Sequence, residues 1–252
     1  MTYFTILLLF HVLGDFYLQT QKLSESKKHS NKHLLLHTAI YTLPFVLMFC
    51  FNDGSESILR LFIGIVILFI SHFIIDFYFR KKDKTLKPFI IDQLLHLLVI
   101  FIVWFLIKNH LANIDNLDDW LISDLGLNIS FQKLVSITTI MLLIVKPTSI
   151  LVELSLPEIN DNKEKDIDKD DKKEQGIDKD NKVNYGSIIG VLERFVIVLL
   201  AIINLWTSIA IVITAKSIAR FKQLEDKEFS QKYLIGTLLS VAMVLVYLIV
   251  LL

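Results

Sequence analysis

Apolar residues along this 252-residue chain come in runs of helix length, broken by short polar stretches, and hardly ever alternate with period two. Runs of about 17–25 such residues match the thickness of a bilayer core when helical. The runs are Tyr3–Gln19, Leu34–Phe51, Ile58–Phe79, Pro88–Ile107, Phe131–Leu151, Ile188–Ala215 and Leu234–Leu252. The pattern predicts an all-α fold, a polytopic transmembrane helical bundle with six or seven spans. Composition agrees: 54% of residues are hydrophobic and the mean hydropathy is +0.57, above the range of soluble domains. The first run has neither a basic leader nor a small-residue cleavage site, so it reads as a span and not as a removable signal peptide.

The polar stretches differ in charge. Lys22, Lys27, Lys28 and Lys32 follow the first span, and Arg80, Lys81, Lys82, Lys84 and Lys87 follow the third. Asp53 and Glu56 follow the second, and Asp115, Asp118, Asp119 and Asp124 follow the fourth. Short basic loops stay in the cytoplasm. The loops after spans one and three are therefore expected inside, and the N-terminus of this multi-pass protein outside. Simple alternation fails later on. It places Lys216–Lys232 outside, although that stretch carries Lys216, Arg220, Lys222, Lys227 and Lys232.

Three regions are expected. Residues 1–108 form a four-helix membrane domain, 109–130 an outer loop, and 131–252 a C-terminal membrane block. The block is interrupted at 157–182 by a charged, nearly apolar-free linker whose composition cannot bury a core. Within it IDKDD at 167–171 recurs as IDKDN at 177–181. A calcium loop is not supported, because the central Gly and terminal Glu of that motif are out of place. Lys216–Glu228 has Ile218, Phe221 and Leu224 at helical spacing among charges. It reads as an amphipathic helix, at the membrane surface or continuing the sixth span, and as the segment through which a homo-oligomer or membrane partner would dock. The solitary Cys50 rules out an intramolecular disulfide and CxxC chemistry. Topology accounts for the basic loops, so no nucleic-acid partner is expected.

Candidate chemistry sits inside the apolar runs. His11/Asp15, His33/His37, His72/Asp76 and Asp92/His96 are each four residues apart, one above the other on a helix face. Ionisable groups in lipid are costly and face a bundle interior or wet cavity. His precedes Asp in spans one and three, while Asp92 precedes His96 in span four. Antiparallel helices need that inversion to bring like groups to one level. Counting from the basic ends at about 1.5 Å per residue puts Asp15, His37, Asp76 and Asp92 roughly 6 Å deep, with His11, His72 and His96 a turn deeper. His33 lies at the loop edge and His29 in a basic run, both as surface histidines. Ser71 points away from His72's face and is not expected to act as a nucleophile.

Imidazoles and carboxylates at one depth suit a divalent metal ion, zinc first, with manganese or iron as alternatives. The expected ligands are His11, Asp15, His37, His72, Asp76, Asp92 and His96. Gln19 and Gln93 flank them as orienting groups, and Asp15 and Asp92 are the candidate catalytic bases. The corresponding function is a metal-dependent hydrolase of a lipid or membrane-proximal substrate at the cytoplasmic face. Competing readings are an ion or proton transporter, and a membrane-anchored sensor or scaffold in which the cluster is a structural ion-pair network.

The ordered motifs HVLGDFYLQ at 11–19, His37, SHFIID at 71–76 and DQLLH at 92–96 resemble the bacterial membrane family called domain of unknown function 3307, over about residues 1–108. GVLER at 190–194, AKSIARF at 215–221 and GTLLS at 236–240 resemble an extended form of it. The resemblance implies a multi-pass helical protein of the bacterial inner (plasma) membrane and no particular activity. A more distant similarity is to bacterial inner-membrane proteins labelled metal-dependent hydrolases on prediction alone.

Overall fold

The computed structural model describes residues 2–112, 129–156 and 185–252. The linker at 157–182, with its repeat, and most of the outer acidic loop lie outside the described residues. The described residues are almost wholly helical, without β-strands apart from one isolated bridge between Asn52 and Leu111. In order they form α1 (Thr2–Val12) with a wide π-turn at Leu13–Tyr17, α2 (Gln21–Ser26), and α3 (Asn31–Thr42) continuing as a 3₁₀ segment to Phe51. Then come α4 (Ser55–Phe79), α5 (Leu86–Ile107), α6 (Phe131–Val145) and α7 (Pro147–Ser155). The last elements are α8 (Tyr185–Ile202), α9 (Trp206–Ala219), a 3₁₀ turn at Phe221–Glu225 and α10 (Lys227–Leu251).

Among the described residues, five helical stretches are long and apolar enough to cross a membrane: Asn31–Phe51, Ser55–Phe79, Leu86–Ile107, Phe131–Ser155 and Lys227–Leu251. Thr2–Tyr17 and Trp206–Ala219 are shorter apolar helices. Leu59, Phe62, Ile74, Leu94, Leu98 and Phe105 face outward, while His11, His37, His72 and His96 are buried. A soluble bundle would have the reverse arrangement; here the solvent of the outer surface is lipid.

The chain forms two compact units, Met1–Ile150 with Met243–Leu252, and Leu151–Ala242. The first is wider than the four-span block at 1–108, because α6 lies along α1: Tyr17 Oη donates to Leu142 O (2.7 Å), and Lys146 Nζ to Phe16 O (2.8 Å). At its acidic end the Tyr3 hydroxyl donates to Ala112 O, and Ala112 N donates to Phe51 O at 3.0 Å. At the opposite end Arg80 donates to Lys27 O (3.3 Å) and Asn31 Oδ1 (2.7 Å). The segments thus run alternately up and down, and the basic loops meet at one end. Ile6, Leu7, Phe10, Phe45, Met48, Leu61, Leu68, Ile100, Val103 and Ile107 fill the apolar part of the core.

Two local features interrupt the regular helix in α1 and α3. The π-turn closes through Leu18 N to Leu13 O (2.8 Å), a widened turn that re-aims the side chains it carries. Gly14 lies in it, against Tyr41: a Cβ there would stand 2.7 Å from Tyr41 O. In α3, Pro44 cannot donate to the helix ladder and its ring crowds the preceding turn, where the 3₁₀ segment begins.

The second unit departs from the expectation of one span at Ile188–Ala215. The helix ends at Ile202 and restarts at Trp206. Asn204 takes a left-handed φ of 61°, which Asn tolerates better than most residues. Leu205 N bonds Leu200 O (2.8 Å) and Asn204 N bonds Ala201 O (3.0 Å), the paired bonds of a Schellman cap. Hydropathy averaging hides one polar residue in an apolar run. Lys216–Glu228 is likewise not one helix: α9 ends at Ala219, and a 3₁₀ turn precedes α10.

Gly14→Ala should cost about 1–3 kcal/mol by overpacking, since the facing atom is backbone. Thermal unfolding in detergent should show a midpoint lowered by several degrees, at roughly 2–4 °C per kcal/mol for a chain of this size. Gly190→Ala, whose Cβ would meet only the end of the Arg194 side chain at 3.5 Å, should leave the midpoint unchanged.

Candidate metal centre

The first, third and fourth spans deliver both members of their polar pairs to the bundle axis, and the second delivers His37 alone. The structure brings His11, Asp15, His37, His72, Asp76, Asp92 and His96 together, and leaves His29 and His33 exposed. His37, His72, His96 and His11 are each at most 2% exposed. Ser71 hydrogen-bonds back to Leu68 O (3.2 Å), away from the cluster.

The cluster has two connected parts. In the first, His37 Nε2 and His72 Nε2 face each other at 3.0 Å. Asp15 Oδ1 lies 3.5 Å and Asp76 Oδ2 3.3 Å from His37 Nε2, and Asp76 Oδ2 is 3.7 Å from His72 Nε2. In the second, Gln93 bridges the helices. Its amide nitrogen donates to Asp15 Oδ2 (3.1 Å) and Asp92 Oδ2 (3.0 Å), and its oxygen faces His11 Nε2 at 3.3 Å. His96 Nδ1 donates to Asp92 O (2.9 Å). Ring contacts join the parts, with His72 and His96 centroids 4.6 Å apart.

Carboxylates do not simply stack on carboxylates, as the matched depths suggest. Asp15 and Asp76 share His37, while Asp92 reaches them through Gln93. Gln19, with its amide oriented to match its neighbours, donates to Asp15 O and accepts from Lys27 Nζ, both at 3.1 Å.

Sequence reasoning missed three contributors. Lys27 Nζ bonds Asp76 Oδ2 at 2.7 Å; its charge had meaning only as a topology signal. Tyr41 stacks on His72, rings 3.6 Å apart and 7° from parallel, and its hydroxyl lies 3.2 Å from His11 Nδ1. The available sign was spacing, since Tyr41 follows His37 by four residues. Gly14 is the third, because only a residue without Cβ lets Tyr41 come so close.

Several buried ring and carboxylate atoms have no hydrogen-bond partner: His37 Nδ1, His72 Nδ1, His96 Nε2 and Asp92 Oδ1. Buried polar atoms ordinarily find one, and exceptions call for an explanation such as a bound ion. Two sets, Asp15/His37/His72 and His72/Asp76/His96, have ligating atoms within 4.8 Å of one another and are positioned to hold a metal ion.

Fold and site define an all-α, multi-pass membrane protein with a buried His/Asp cluster among its first helices. Residues 3–122 match the family described as protein of unknown function (DUF3307), the family that the His/Asp motifs resemble. The match takes in every residue of the cluster and stops before α6, so the later motifs lie outside it. No curated protein and no solved structure matches the chain.

Gln93→Leu is nearly isosteric but leaves two carboxylates and His11 without their shared partner. It should lower unfolding stability by about 1–3 kcal/mol, seen as a reduced thermal midpoint, whereas exposed Gln21→Leu should not.

Proposed function

We propose that this protein binds a divalent metal ion, zinc by preference, within its first helices and acts as a metal-dependent hydrolase at the cytoplasmic face of the membrane. One observation carries the reading: in a buried site His37 Nε2 lies 3.0 Å from His72 Nε2, 3.3 Å from Asp76 Oδ2 and 3.5 Å from Asp15 Oδ1, and Asp76 Oδ2 lies 3.7 Å from His72 Nε2. Tetrahedral zinc with bonds of about 2.0–2.2 Å requires ligand atoms roughly 3.3–3.6 Å apart. An imidazole–carboxylate donor set favours zinc, manganese or iron over magnesium or calcium. His96 Nε2, buried and unpartnered, is the candidate for a further ligand.

A metal held there would supply Lewis acidity and lower the pKa of water beside it. The chain's own residues would do the rest. Asp92 is the preferred general base: Gln93 fixes one oxygen, and the other is unpartnered. Asp15 has both oxygens engaged, with His37 and Gln93, and fits better as a ligand. Lys27 neutralises Asp76 and is placed to offset negative charge on a carbonyl or phosphoryl oxygen. Tyr41 and Gln93 hold His72 and His11 in register. Side chains of Asp92, Lys27 and Asp15 keep 16%, 14% and 10% exposure, so access is on the carboxylate side. The substrates within reach are esters or phosphoesters at headgroup level.

Metal analysis of protein purified without chelator should find about one divalent ion per chain, lost in His72→Ala. Asp92→Asn should keep fold and metal but reduce hydrolysis of a headgroup-ester and phosphoester panel at least ~100-fold. Background metal content in the unmutated protein would overturn the reading and leave Lys27–Asp76–His37 as an ion-pair network that sets helix register.

A further inference from the structure

The second unit bears on the basic stretch Lys216–Lys232, which simple alternation puts on the wrong side. Glu193 lies eleven residues before Asn204 and Lys216 twelve after it. In one straight helix they would stand about 35 Å apart. Instead Lys216 Nζ meets Glu193 Oε2 at 2.5 Å. α8 and α9 are therefore the antiparallel arms of a hairpin that reverses at Asn204. α9, with 14 residues, is about 21 Å long, short of the roughly 30 Å of a bilayer's hydrocarbon core. The reversal satisfies its own backbone through the bonds at Ile203, Asn204 and Leu205, the condition for a non-helical turn at membrane depth.

The chain leaves the fifth span after Ser155 and re-enters at Tyr185. The intervening residues are too charged to cross. A hairpin returns it to the side from which it came, where α10 begins. Further along, α10 passes α7, with Gly236 beside Val152 and Leu156, and Tyr233 Oη lies 3.0 Å from Ser217 Oγ. Counted this way, Lys216–Lys232 would be cytoplasmic, as the positive-inside rule asks. The segment has the surface of an interfacial element: Ile218 and Phe221 are each 69% exposed, next to half-buried Arg220 and exposed Lys222 and Lys227, and its charges sum to +2 (five Lys/Arg against Glu225, Asp226 and Glu228).

We propose that Tyr185–Ala219 is a re-entrant hairpin open to the cytoplasmic side, and that residues 216–232 lie on that leaflet, apolar side chains inserted and cations on anionic lipid headgroups. Charge complementarity and the exposed Ile218 and Phe221 point to anionic lipid as the occupant. This is independent of the metal reading.

The test uses the full chain with Cys50→Ser, since Cys50 is exposed. Lys28→Cys, Asp53→Cys and Lys222→Cys are made singly in that background and treated with a membrane-impermeant maleimide in right-side-out and inside-out vesicles. Lys222→Cys should label in the same vesicles as Lys28→Cys and opposite to Asp53→Cys; labelling with Asp53→Cys would overturn the hairpin. A spin label at Phe221→Cys, in nanodiscs of phosphatidylglycerol or phosphatidylcholine, reads the lipid contact. Its accessibility should shift from aqueous nickel chelate towards oxygen in phosphatidylglycerol, and the shift should shrink in high salt. A label equally water-exposed in both lipids would overturn the lipid contact and mark the segment as a surface for a soluble partner.

Discussion

A titratable side chain cannot sit alone in hydrocarbon, and the first unit is built around that constraint. Isolated, a carboxylate or imidazolium there is heavily penalised; shared among helices, it becomes the reason those helices meet. His37 sits between Asp15 and Asp76, Gln93 ties Asp92 to Asp15 and His11, and Lys27 closes on Asp76 from the basic end. Lipid gives the outer faces no preference for one another, so these contacts, with close packing, set helix register. The widened turn at Leu13–Tyr17 and the bare backbone of Gly14 follow from the same demand, because they let Tyr41 approach and cover His72.

The metal reading and the ion-pair reading use the same contacts differently. An ion-pair network explains Lys27 on Asp76, and one imidazole N–H donating to the other ring's bare nitrogen explains the 3.0 Å approach of His37 and His72; on the proposed metal reading the same two nitrogens would be ligands. Lys27 neutralises Asp76, and on the proposed reading it would also border the route of a small anionic group.

The span positions and the polar pairs were legible because each rests on a local rule: span length on bilayer thickness, and pairing on the 3.6-residue period. The inversion at Asp92/His96 carried three-dimensional information, since it made sense only for antiparallel neighbours. What escaped is set by contacts distant in sequence. Lys27 reads as a loop cation until Asp76, 49 residues on, is beside it. Gly14 looks like an ordinary membrane-helix glycine until Tyr41 faces it. Asn204 lowers the hydropathy of its window too little to split it, yet its left-handed φ reverses the chain. The family match at 3–122 falls within the first unit and leaves the hairpin to physical argument.

The Glu193–Lys216 pair also has a consequence for biogenesis. A first arm entering the membrane alone would bring Glu193 there without its partner, whereas a hairpin folded at its turn brings Glu193 and Lys216 already joined. Both arms should therefore leave the translocation channel as one object, and neither should be stably inserted when synthesis stops between them. On this view the left-handed Asn sets the order of assembly as well as the shape: the turn comes first, the ion pair second, and entry into the membrane last.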